Sequence, residues 1–125
     1  MDSVVHFEIP AKNMKRAQGF YEKLFGWKIV PYMDEYYLAG TTAVDRKRMP
    51  KKPGAINGAL QKKDKSIAST RVVVNVADLD GTLKRVVAAG GKVKEPKTEV
   101  PDMLWYAVVI DTEGNELGLA EYMGK

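Results

Sequence analysis

Apolar and polar positions alternate from Val4 to Ile9, putting Val5, Phe7 and Ile9 on one face and Val4, His6 and Glu8 on the other. That is the period of a strand, and Pro10 ends it. After Asn13, a predicted N-cap, Met14, Ala17, Phe20, Tyr21 and Leu24 recur at helical spacing until Gly26 stops the pattern. "WKIVPYM" and "EYYLAGTTAV" predict two strands joined by a turn at Asp34, and "INGALQ" predicts another. The first half therefore reads βαβββ, and the polar stretch "KKDKSIAST" over 62–70 reads as a linker.

The order then repeats. "RVVVNV" is a strand with Val72, Val74 and Val76 on one face and Arg71, Val73 and Asn75 on the other. Leu79, Leu83, Val86 and Val87 mark a helix capped near Asp78 and closed by Gly90 and Gly91. "KVKEPKTEV", "LWYAVVI" and "ELGLAEY" supply three more strands, the last two joined by the turn "DTEGN". The halves match at an offset of roughly 65 residues, which predicts an internal duplication of modules 1–61 and 71–125. At 125 residues, 45% of them hydrophobic, the chain suits one compact α+β domain, since neither half alone has enough core.

Composition narrows the chemistry. Without cysteine there are no disulfides, no thiolate catalysis and no sulfur-ligated zinc. No stretch reaches the roughly 18 to 20 consecutive apolar residues of a membrane span, and the N-terminus lacks the pattern of a secretion signal, so a soluble cytoplasmic protein without membrane contact is expected. The net charge of +4 is concentrated: Arg46 to Lys65 holds eight Lys or Arg against the single Asp64. This run has no aromatic residue to stack on bases, and Pro50 and Pro53 break any helix in it. It reads as a solvated loop and argues against a nucleic-acid partner.

The phrases "RAQGFYEKLFGW" and "GGKVKEPKTEVPDMLWYAVVIDTEGNELGL", each in its half of a duplicated βαβββ pattern, resemble the vicinal oxygen chelate superfamily, which holds glyoxalase I, extradiol dioxygenases and bleomycin-resistance proteins. The resemblance covers nearly the whole chain. It implies two tandem modules curled into a partly open barrel around a concave cavity, and commonly a homodimer. In metal-using members four His, Gln or Glu ligands come from the first and last strand of each module. His6 matches the first position. The second falls on Gly58 or Ala59, with Gln61 the nearest ligand type, the third on Val73 and the fourth on Gly118. No metal is therefore expected, and a two-histidine iron site is excluded by the single histidine.

The resemblance with these blanks implies a protein that binds a small organic molecule in an aromatic-lined cavity. The expected contacts are His6, Glu8, Asn75 and Glu116 with Tyr37 and Tyr106 pointing inward, while Phe7, Phe20, Tyr21 and Phe25 are expected in the core. Bleomycin itself, a cationic drug, does not suit a net positive protein. The alternative is an enzyme: a divalent-metal lyase, isomerase or dioxygenase with a rebuilt ligand shell, or a metal-free acid/base catalyst with His6 and Glu8 as the candidate catalytic pair.

Overall fold

The computed structural model describes residues 1–124. They form two compact units, one of His6–Thr70 and the other of Met1–Val5 with the chain from Arg71 onward. Each unit has one helix on one face of a four-stranded sheet.

In the first unit β1 (Val4–Ala11) leads to α1 (Met14–Phe25), then β2 (Lys28–Met33), β3 (Tyr36–Gly40) and β4 (Asn57–Lys62). The strand order is β2-β3-β4-β1, with β1 parallel to β4 and the other pairs antiparallel. α1 begins where the sequence predicts: Asn13 has extended backbone and its side chain accepts from the Arg16 N–H at 2.9 Å. It ends at Gly26, whose φ of 69° is the left-handed cap conformation that glycine adopts without a Cβ penalty. One face of the sheet carries Phe7, Ile9, Ile29, Tyr37, Ala39 and Leu60, and Met14, Ala17 and Tyr21 of α1 pack against it together with Trp27. Leu60 is completely buried, a contribution of about 1.5–3 kcal/mol for such a side chain.

The stripe on α1 is narrower than its sequence suggests. Tyr21 stacks on Trp27 with centroids 4.8 Å apart, but Phe20 and Phe25, expected in the core, are 54% and 60% exposed. Phe20 falls outside the Met14, Ala17, Tyr21 line that faces the sheet, and Phe25 is the last residue of the helix. They form an apolar surface instead.

The second unit repeats the pattern with β5 (Arg71–Asn75), α2 (Leu79–Ala88), β6 (Lys92–Val100), β7 (Leu104–Ile110) and β8 (Glu116–Tyr122) in the order β5-β8-β7-β6. Again the first and last strands are parallel and the others antiparallel. Asp78 caps α2 by accepting from the Gly81 N–H, and Val76, Leu79, Ala107, Val109 and Leu119 form the core beneath the helix. The β7–β8 turn is organised by Asp111, whose Oδ1 accepts from the Glu113 and Asn115 N–H groups at 2.8 and 2.9 Å. The Asn115 backbone and side-chain donors lead in holding this carboxyl below the usual carboxylate range. Residue Ser3 belongs to this unit as well: its carbonyl accepts from the Asn75 N–H.

The basic run is not one loop. Arg46 to Lys52 lie in a turn-rich segment in which Asp45 Oδ1 accepts from the Lys47 and Met49 N–H groups, whereas Lys62 ends β4.

Candidate functional site

In the first unit the register of β1 against β4 pairs His6 with Asn57, Glu8 with Ala59 and Pro10 with Gln61. β3 adds Tyr36 opposite Gln61 and Leu38 opposite Ala59. These residues share the face away from α1, because Phe7, Leu60 and Tyr37 on the alternate positions pack against the helix.

His6 and Glu8, two residues apart on this face, are joined through Tyr36. The Tyr36 hydroxyl donates to Glu8 Oε2 at 3.2 Å, and His6 Nε2 lies 3.1 Å from the Tyr36 hydroxyl oxygen. With its single proton directed at the carboxylate, the phenol can only accept from the imidazole, so Nε2 carries the hydrogen. Nδ1 is then a lone-pair acceptor, with no hydrogen bond among the described residues. Burial pulls the His6 pKa below the usual 6.5, and the negative charge of Glu8 opposes this only in part. The ring is therefore neutral at pH 7. Glu8 itself is 4% exposed. Beside this chain, Gln61 Oε1 is buried with no hydrogen-bond partner among the described residues.

Tyr36, and not Tyr37, is the tyrosine of this face. Tyr37 stands opposite Leu60 and packs in the apolar cluster under α1, with Lys15 Nζ 5.7 Å from its ring centroid. The parity is set by the two-residue turn at Asp34 and Glu35, with Glu35 at a φ of 61°, and by a bulge between Pro31 and Met33. Neither is visible in the alternation of the sequence. The position opposite His6 is likewise Asn57, whereas Gly58 lies on the helix face, where a Cβ would collide with the Phe7 ring.

In the second unit Val73 pairs with Gly118, and Asn75 with Ala120. Tyr106 crosses this face: a Cβ added to Gly118 would lie 2.5 Å from the Tyr106 hydroxyl oxygen and 3.0 Å from Val73 Cγ2. Tyr106 thus points away from α2. Glu116 does not present free oxygens. Oε1 receives Arg71 Nη1 at 3.2 Å and Oε2 receives Lys94 Nζ. Arg71 is only 4% exposed, so a charged partner is what its burial demands. Arg71 is absent from the contacts expected from sequence, although a cation on the Val73 face of an apolar strand was the available signal.

The donors do not fit the metal that the resemblance implies for metal-using members. In the first unit Asn57 Oδ1, opposite His6, is occupied by the Thr41 and Thr42 N–H groups at 2.7 and 3.0 Å. His6 Nε2 is turned to Tyr36. In the second unit Val73 and Gly118 have no donor atom, and the Tyr106 phenol fills the space above Gly118. Among the described residues no three His, Asp or Glu side chains converge. Catalytic sites of this kind take three protein ligands.

Comparison with known proteins agrees with the fold. The sequence model of the Glyoxalase/Bleomycin resistance protein/Dioxygenase superfamily matches residues 3–119. A glyoxylase-like domain-containing protein from Didymella fabae is 30% identical over 123 residues, spanning 94% of this chain and 92% of that relative. Among solved structures, methylmalonyl-CoA epimerase from Mycobacterium tuberculosis superposes with a TM-score of 0.67 at 17% identity, over 97% of this chain and 88% of that one. A superfamily member from Vibrio splendidus 12B01 gives 0.65 at 12% identity, over 98% of this chain and all (100%) of that one. With a family match across nearly the whole sequence and the same fold in both solved relatives, the chain belongs to the Glyoxalase/Bleomycin resistance protein/Dioxygenase superfamily.

Proposed function

We propose that the protein binds a small organic molecule on the His6 face of its first module, without a complete metal site. The observation that carries this reading is Gln61 Oε1, a buried acceptor left unsatisfied beside the His6–Tyr36–Glu8 chain. Buried polar atoms are nearly always hydrogen-bonded, so an open acceptor on a half-buried polar face calls for a donor from outside the chain. His6 Nδ1 is a second acceptor on the same face. A ligand carrying N–H or O–H groups and an apolar body satisfies both.

A second reading has one observation in its favour. A neutral imidazole, its tautomer fixed by a tyrosine and a carboxylate behind it, is poised to take a proton at Nδ1. On this reading His6 is the base, Tyr36 holds its Nε2–H, and Glu8 offsets the positive charge that forms. No metal enters this scheme. A homodimer accompanies either reading, supported by the exposed Phe20, Leu24 and Phe25 on α1.

The test is a thermal-shift screen of small polar metabolites on the wild type, Gln61→Leu and Tyr36→Phe. Compounds that stabilise the wild type and lose that effect in both variants support the site. Compounds that stabilise all three proteins equally would place the ligand elsewhere. Turnover abolished by His6→Ala but not by Gln61→Leu would decide for the acid/base reading.

A further inference from the structure

The helix side of the first unit holds a cavity that the His6 face does not use. It has a volume of about 710 Å³ and lies between the first turn of α1, the end of the β2–β3 hairpin and the end of β4. That size is within the range of small-molecule sites. Lys12, Lys15 and Lys62 reach it from three different segments, and Tyr32, Met33 and Tyr37 give it an apolar side.

Its charges are uncommitted. None of the three lysines makes an ion pair among the described residues, and neither do Asp34 and Glu35 at the hairpin turn. Lys15 Nζ stands 5.7 Å from the Tyr37 ring centroid, so one ammonium lies directly over the aromatic floor. Tyr32 and Met33, 42% and 52% exposed, leave large apolar surface open at the mouth. The bulge between Pro31 and Met33 re-aims this end of β2, a common device beside binding sites.

The geometry points to a binding site for a small organic monocarboxylate with a flat apolar body. Its carboxylate would lie among the lysines and its body against Tyr32, Met33 and Tyr37. Three ammonium groups against the two turn carboxylates leave one net positive charge in the lining, which suits a monoanion and disfavours a polyphosphate. The alternation of β3 sends Tyr37 to the cavity side and Tyr36 to the His6 face, and the two sites meet only where the Tyr32 ring stands edge-on to Tyr36, with centroids 6.4 Å apart.

The experiment is an amide-shift titration of the full chain with 2-naphthoate, with neutral 2-naphthamide and inorganic phosphate in parallel. Saturable shifts at Asn13 to Lys15 and Tyr32 to Glu35 are expected with naphthoate and much weaker ones with the other two. Combining Lys12→Gln, Lys15→Gln and Lys62→Gln should weaken naphthoate about tenfold, the summed effect of three exposed charge contacts. The single Lys15→Gln, read in the same way, serves if the triple variant is poorly folded. Tyr36→Phe should leave the titration unchanged. Equal binding of the amide, unchanged affinity in the lysine variants, or shifts confined to His6, Glu8 and Tyr36 would each overturn the assignment.

Discussion

Gly118 lies directly under Tyr106: the phenol oxygen is 2.5 Å from where a Cβ at position 118 would stand. The missing side chain and the large one fit each other. Any side chain at 118 pushes against a ring in a sheet whose neighbours Val73, Val108 and Ala120 are buried. Gly118→Ala should therefore destabilise the protein by about 1–3 kcal/mol, the usual cost of overpacking. Tyr106→Ala should relieve most of that cost in the double variant. Urea denaturation of the two single variants and the pair measures the coupling.

His6 is the only histidine, which makes its titration separable. Its folded pKa lies below the usual 6.5, so the unfolded chain takes up a proton first as pH falls. Its contribution to stability is complete above pH 6.5 and is lost progressively as pH drops from there through the folded pKa. Unfolding free energy measured from pH 8 to 5 should fall in the wild type and stay flatter in His6→Gln.

Tyr36 fixes the His6 tautomer by accepting from Nε2–H while donating to Glu8. Tyr36→Phe removes both bonds and should cost about 1–3 kcal/mol. A simple packing role would not alter the ring nitrogens. The imidazole ¹⁵N shifts should change from a single Nε2–H form to a mixture of tautomers, and an unchanged pattern would show that Tyr36 does not set the ring.

Glu116 neutralises a buried arginine and a half-buried lysine at once. Glu116→Ala should cost about 3 kcal/mol, since it removes a carboxylate bonded to the Arg71 guanidinium in a place water hardly reaches. The loss should hardly change between low and high salt, in contrast to the exposed Lys97–Asp80 pair, whose removal is expected to cost little.

Divalent metal should not stabilise the folded protein. Zn²⁺, Ni²⁺, Mn²⁺ and Fe²⁺ added in thermal-shift assays are expected to leave Tm unchanged, because the strand pairs His6–Asn57 and Val73–Gly118 offer one free imidazole nitrogen between them. A rise of several degrees that His6→Ala abolishes would mean a ligand shell that these pairings do not predict.

Much of this was legible in the sequence. The order of strands and helices in each half and the N-caps Asn13 and Asp78 follow from alternation and cap residues, which are local signals with strict periods. Parity across a hairpin is different. A bulge between Pro31 and Met33 and a left-handed Glu35 decide which of Tyr36 and Tyr37 meets His6, and neither changes the apolar pattern around it. The commitment of Glu116 to Arg71 was hidden for another reason: the two are 45 positions apart, and only the sheet brings them together. Phe20 and Phe25 misled because aromatic residues at near-helical spacing look like a core whether or not anything covers them.

The placement of Ser3 also governs how the gene could be divided. A cut within 62–70 gives two halves of similar length, yet the second half then lacks the carbonyl that receives the Asn75 N–H, and its first strand loses a neighbour. The two halves are therefore not interchangeable cassettes. A functional split or a circularly rearranged chain would have to carry the opening five residues along with the second module.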